Sequence, residues 1–381
     1  MPQNTHWVGT WTTTPAPAEA AAFSNQTLRM IAHVSLGGSR LRVRLSNAYG
    51  TAKLAIGAVH IGLHAGAASI VPGSDRVVTF GGEGSATIAA GSLLISDPIA
   101  FDLPPLSNVA ISIHLPGNIP ATFQVTGRYA RQTNYISPPG DFSATTIMPI
   151  GKITDEWYFV SGIDVAATAE TGGVVALGDS LTDANISTPD VNCRWPDQLA
   201  RRLHARAGGR PMGVMNQGLG GNRILHDVRG DSGLRRFDRD VLAQPGVTHV
   251  IICLGINDIR NRWGKPEEVV NPAGMIAGLK QMALRAHTRG IKIFGGTLTP
   301  FENETFLVGA YTPAGEATRQ AVNAWIRTSG AFDAVIDFEE GLRDPSHPTR
   351  MLPIYDCDDH LHPSDLGYHR MGDIINLSLF D

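Results

Sequence analysis

The chain has 381 residues, of which 43% are hydrophobic and 17% charged, with a formal net charge of −4. That length suggests two domains, the composition excludes global disorder, and the slight acidity gives no reason to expect nucleic acid or an anionic membrane as partner. No apolar run approaches the roughly 20 residues that cross a bilayer. The start, MPQNTHWVGT, lacks a basic patch followed by an apolar stretch. No signal peptide is therefore expected, and a cytoplasmic location is favoured unless a leader has been removed. Cys193, Cys253 and Cys357 make an odd count without metal-type spacing, so neither a disulfide nor a metal site is expected, and Cys253 in its apolar run reads as core.

In chain order, short segments of strand character come first. QTLRMIAHVSL (26–36), LRVRLSNAYG (41–50), LAIGAVHIGL (54–63), DRVVTF (75–80), VAISIHL (109–115), TFQVTG (122–127) and WYFVSGIDV (157–165) are separated by Gly, Pro, Ser and Asn. Helical periodicity is absent, and the pattern predicts an antiparallel β-sandwich, jelly-roll-like, over residues 1–166. The small-residue stretch AATAETGG (166–173) reads as the linker. From 167 to 381 the pattern becomes strand, loop, helix. GVVALG leads to a helix over RWPDQLARRLHARA, and GVMNQG follows. THVIICLG leads to AGMIAGLKQMALRAHTRG, KIFGGTLTP to GEATRQAVNAWIRTSG, and AVIDF to a last helix over SDLGYHRMGDIINLSLF. Near-continuous apolar strands alternating with helices predict a parallel sheet covered on both faces, a doubly wound three-layer α/β domain.

In such a sheet ligands bind beyond the carboxyl ends of the strands, so residues just after strands are the informative ones. Ser180 follows the first strand, NQGLGGN (216–222) the second and GINDIR (255–260) the third. With strand order 2-1-3-4-5 these loops are spatial neighbours. Hydrolysis by a serine needs a base, commonly histidine, a carboxylate to orient that base, and donors aimed at the developing oxyanion. YDCDDHLHPSDLGYH (355–369) supplies Asp359 and His362 three residues apart, with Asp356, Asp358 and His360 as rivals. Gly221 can present a backbone N–H and Asn257 an amide, while the N–H of Ser180 lies at a helix start. Plainer roles stand beside these: Ser180 as a helix cap, Gly218, Gly220 and Gly221 as turn formers, and Asn257 as a partner for buried backbone. Ser364 is a candidate cap for the final helix. Arg194 and Trp195 either line the cleft or open a helix. Arg223 and Arg260 either meet a polar substrate or pair at the surface. His33, His60 and His114 read as structural.

GDSLTD, NQGLGG, GIND and DHLHP resemble, in order, the four blocks of the SGNH (GDSL-type) hydrolase superfamily, spanning about 185 residues. NCRWPDQLA and the first-half segments WVGTW, SNQTLRM and RVRLSNAYG are similar to the acetylxylan esterase-like subgroup. The resemblance implies a flavodoxin-like hydrolase domain, with Ser180 as nucleophile, Asp359 and His362 completing the triad, and Gly221 and Asn257 joining Ser180 in the oxyanion hole. It implies a metal-independent serine esterase without cofactor, acting on short-chain O-acyl esters. Acetyl groups on a carbohydrate come first as substrate, aryl or lipid-like esters second. A carbohydrate-binding protein with a vestigial hydrolase half is the reading from another class. One departure is plain: the last block often reads Asp-Gly-x-His, and here position 360 is histidine.

Overall fold

The computed structural model describes residues 5–17, 22–119, 129–260 and 265–381. The chain forms two compact units, one of residues 1–171 with 189–192 and one of residues 172–188 with 193–381. No helix among the described residues is long and apolar enough to cross a membrane.

The first unit holds two antiparallel sheets. One orders His6–Thr12, Val160–Ala167, Gly38–Ser46 and Ile99–Leu103, with Leu93–Ile95 also paired to Gly38–Ser46. The other orders Lys152–Thr154, Asn134–Pro139, Phe23–His33, Asn108–Ile119, Ala58–Gly66 and Ser69–Ile70. Alternate residues of both sheets, among them Leu41, Val43, Leu45, Leu28, Met30, Val109, Ile111 and Ile113, share one buried core, an arrangement consistent with a β-sandwich. DRVVTF contributes only the strand Arg76–Val77, whose residues are exposed. It lies beside Ala58–Gly66, outside the main path of the sheet. TFQVTG lies outside the described residues. His33, His60 and His114 all serve within this unit, bonded to Asn108, Asp75 and Asn25.

The second unit is built on five parallel strands, β1 (Gly172–Gly178), β2 (Met212–Gly218), β3 (Val247–Cys253), β4 (Lys292–Gly296) and β5 (Ala334–Ile336). Their order in the sheet is β2-β1-β3-β4-β5, which places the ends of β1, β2 and β3 side by side. Every residue of β1 is buried. Val175, Leu177, Val250, Ile252 and Ile293 pack against residues of the helices Pro272–His287 and Pro313–Thr328. Strand residues of the opposite parity, such as Val174, Ala176, Ile251 and Phe294, are buried as well, and Phe294 and His249 meet Phe380. Both faces are therefore covered, which is why the strands read as unbroken apolar runs. The last helix is shorter than its sequence suggested. It runs Asp365–Asp373, and Leu377–Phe380 forms a separate 3₁₀ turn whose start is capped by the side chain of Asn376, a residue that competes with the backbone and favours caps over helix interiors.

Candidate active site

The chain leaves β1 at Gly178 and turns at once. The Asp179 side chain caps the single helical turn α1 (Ser180–Asp183) by accepting from Leu181 N–H at 3.0 Å, and Ala184 ends it in the left-handed conformation. So short an element leaves Ser180 at the mouth of the strand. Gly218, at the end of β2, allows the neighbouring loop to close on this turn: a Cβ there would sit 2.3 Å from the Asp183 nitrogen. Leu219 N–H donates to Gly178 O at 3.1 Å and Gly220 N–H to Asp183 Oδ2 at 3.3 Å. Gly221 has φ 78°, which other residues rarely adopt. Among the described residues, no acceptor takes the N–H of Ser180 or of Gly221.

The candidate base comes from the other end of the unit, on the loop between the 3₁₀ turn Pro353–Tyr355 and the helix Asp365–Asp373, where Ser364 is the N-cap. His362 Nε2 lies 2.9 Å from Ser180 Oγ, and its Nδ1 lies 2.6 Å from Asp359 Oδ2. The second oxygen of Asp359 accepts the N–H groups of Leu361 and His362 at 2.9 and 2.7 Å. A carboxylate can only accept, so Nδ1 carries the proton and Nε2 faces the hydroxyl with its lone pair. Burial alone would raise the Asp359 carboxyl. The hydrogen bond to and charge of His362, with the two N–H bonds, override it and hold the group well below the usual carboxylate range. The Phe306 ring stands edge-on to His362, centroids 5.6 Å apart. His360 forms a separate pair, its Nδ1 2.5 Å from Asp356 Oδ2, and its side chain is 43% exposed. Asp356, Cys357 and Asp359 bring three possible metal-ligand atoms within 4.8 Å of one another, but the two carboxylates already serve His360 and His362.

Asn257 lies in the short helix α2 (Ile256–Arg260) after β3, buried. Its amide donates to Asn222 O at 3.2 Å and accepts from Arg260 Nη1 at 2.9 Å. The next residue, Asp258, accepts from Ile224 and Leu225 N–H, so the loops after β2 and β3 are stitched together. Burial pushes the carboxyls of Asp179 and Asp183 up to about 7 and that of Asp258 up to about 6.

Several supporting residues carry no motif in the sequence. Arg236 is fully buried and donates to Gly178 O at 2.8 Å, Gln217 O at 2.9 Å and Asn222 Oδ1 at 3.0 Å. It thereby ties the ends of β1 and β2 to the loop beside Asn257. Arg223 is no surface residue: its side chain is wholly buried and pairs with Glu268 at 2.6 Å. Arg260 is buried too and paired with Glu304. Arg194 and Trp195 open a helix, Trp195–Ala205, and brace α1 from behind through Arg194 Nε to Asp183 O at 2.9 Å and Trp195 Nε1 to Thr182 Oγ1 at 3.3 Å. All three cysteines are free thiols.

The family model described as the GDSL-like lipase/acylhydrolase family matches residues 176–370. No curated protein matches the chain. Among solved structures it is similar to a GDSL-like lipase from Bacteroides thetaiotaomicron, at 19% identity over 54% of this chain and 87% of that one, TM-score 0.42. It is also similar to a catalytic mutant of an acetylxylan esterase from Geobacillus stearothermophilus, at 19% identity over 53% and 91%, TM-score 0.41. A third likeness is to the aryl esterase of M. smegmatis, at 16% identity over 53% and 95%, TM-score 0.41.

Proposed function

The chain belongs to the GDSL-like lipase/acylhydrolase family and is a carboxylic ester hydrolase, and on that premise we propose that it cleaves short-chain O-acyl esters through a Ser180–His362–Asp359 triad. The observation that carries this reading is the line from Ser180 Oγ through both nitrogens of His362 to Asp359, at 2.9 and 2.6 Å. His362 takes the hydroxyl proton as Ser180 attacks the ester carbonyl. Asp359 keeps the imidazole in the productive tautomer and stabilises its charged form. The oxyanion is received by the N–H groups of Ser180 and Gly221, which have no acceptor among the described residues, and by the amide of Asn257. His362 then protonates the departing alcohol, and water repeats the sequence on the acyl-enzyme. No metal or cofactor enters these steps.

Following the sequence resemblance, acetyl is the expected acyl group, and we assign the alcohol to a carbohydrate. A second reading, an aryl or lipid-like alcohol, draws on Phe306 and Val308, 46% and 94% exposed. The division into an accessory part (1–166) and a hydrolase part (167–381) belongs to the same proposal. The intact line of three groups argues against a carbohydrate-binding protein with a vestigial hydrolase half. The test is a panel of acetyl, butyryl and octanoyl p-nitrophenyl esters with acetylated xylan and acetylated monosaccharides, run on wild type and Ser180→Ala. Acetyl esters should turn over fastest and Ser180→Ala should lose nearly all turnover and all labelling by an organophosphonate while unfolding at an unchanged temperature. Undiminished turnover in Ser180→Ala rejects the triad.

A further inference from the structure

A charged pair lies directly beside Asn257, buried almost completely. Arg260 ends α2 three residues on from Asn257, so the two side chains share a helix face. Arg260 Nη1 donates to Asn257 Oδ1 at 2.9 Å, and Nη2 lies 2.7 Å from Glu304 Oε2. The side chains of Arg260 and Glu304 are 2% and 0% exposed. Taking two charges out of water costs several kcal/mol each, and apolar residues of similar volume commonly stabilise a fold as well or better. Stability is therefore a poor reason for this pair to sit here.

The chemistry of the three groups supplies a better one. A guanidinium has only donors, whereas an amide presents an oxygen on one side and an NH₂ on the other. Arg260 beside Oδ1 excludes the flipped amide. On the opposite side the carbonyl of Asn222 can only accept, and it takes one Nδ2 hydrogen at 3.2 Å. The two contacts fix the amide in one orientation and leave its second N–H for a ligand. Glu304 fixes Arg260 in turn. It belongs to the segment whose next two residues reach the triad: Thr305 N–H donates to Asp359 O at 3.0 Å, and Phe306 packs on His362.

We propose that Arg260, anchored by Glu304, is a positioning residue of the ester hydrolase: it orients the Asn257 amide toward the reacting carbonyl and couples that orientation to the segment packed on Asp359 and His362. This rests on the reading of Asn257 as an oxyanion donor.

The test is a double-mutant cycle on p-nitrophenyl acetate. Arg260→Met, Arg260→Lys and Glu304→Gln are each made in wild type and in Asn257→Ala, with kcat, KM and unfolding temperature measured. A well-placed oxyanion donor is worth about 10²–10³ in kcat, so a disoriented one should forfeit much of that. Arg260→Met should lower kcat about 10–100-fold with KM within about twofold, and should cost less than about threefold once Asn257 is alanine. Lysine can still donate to Oδ1, so Arg260→Lys should recover part of the loss. A residue that only supports the fold would cost the same factor in both backgrounds, and that additivity overturns the proposal. Should Arg260→Met fail to fold, Glu304→Gln, nearly the same shape, runs the same cycle: a smaller loss that vanishes in Asn257→Ala supports the coupling, and an equal loss in both overturns it. An Asn257→Ala enzyme with unchanged kcat removes the oxyanion reading itself, and this proposal with it. An impaired Asn257→Ala with additive partners removes this proposal alone.

Discussion

Asp179→Asn probes a carboxyl that the fold resists ionising, in the turn that presents Ser180. Asp179 is 1% exposed. One oxygen accepts the Leu181 N–H at 3.0 Å, while the other, Oδ2, has no partner among the described residues. Burial pushes the group up to about 7, opposed by the Leu181 bond and by the charges of Arg260 and Arg236, and reinforced by Asp258. In the unfolded chain an aspartate titrates near about 3.9. Between those two values the folded protein holds the proton and the unfolded chain does not, so stability falls as pH rises from about 4 to about 7 and levels off above. At about 1.4 kcal/mol per pH decade, the part of this loss between pH 5 and pH 8 is about 3 kcal/mol. Asparagine keeps the acceptor for Leu181 and cannot ionise. It also introduces an NH₂ in need of a partner, a cost of about 1–3 kcal/mol that does not depend on pH. Whatever the offset at pH 5, the variant should therefore gain about 3 kcal/mol on wild type by pH 8, or about 6–12 °C in Tm for a unit of this size. Thermal unfolding followed by circular dichroism at pH 5, 6, 7 and 8 measures it. A gap that stays constant over that range, or moves toward wild type as pH rises, refutes the reasoning.

Two further expectations concern the histidine loop. Asp359→Asn should lower kcat by about 10³–10⁴, because an amide no longer dictates the imidazole tautomer. It should also abolish an acid-sensitive share of stability: the Asp359 carboxyl is held below its ordinary range, so its stabilisation is present above about pH 4 and is lost as pH falls further, a loss that acid titration of Tm will find in wild type and not in the variant. His362→Ala should be inactive to within about 10⁻³ of wild type, and His360→Ala should stay within about threefold. Steady-state turnover of an acetyl ester compares them, and a dead His360→Ala with a live His362→Ala would show that the wrong ring had been assigned as base.

Much of the catalytic unit was legible because of one physical fact: parallel strands buried on both faces must be apolar throughout, so β1 to β5 stand out as runs, and chemistry sits just beyond their ends. Ser180, Gly221 and Asn257 follow β1, β2 and β3, and the strand order brings those turns together. The Asp359–His362 pair was preferred in the sequence because its spacing resembles the last family block, with Asp356 and His360 left as rivals. The structure adds the approach of His362 Nε2 to Ser180 Oγ, while His360 pairs with Asp356. Arg236 pairs locally with Asp240, four residues on, but its ties to Gly178, Gln217 and Asn222 were invisible, because long-range satisfaction of backbone leaves no local pattern. Arg223 and Arg260 looked like surface residues for a similar reason: their carboxylate partners, Glu268 and Glu304, lie 45 and 44 positions away in sequence. The end of the last helix was overrun because Ile374, Ile375 and Leu377 continue its apolar spacing, whereas Asn376 turns its side chain back on the main chain.

The hydroxyl of Ser180 and the ring of His362 are 182 positions apart, and all five strands of the sheet are complete by Ile336. A ribosome delivers this chain from its amino end, so the sheet can emerge while His362, the proposed base, is still inside the exit tunnel. On the proposed triad, hydrolytic competence then waits until the segment that carries His362 has docked against the turn at Ser180.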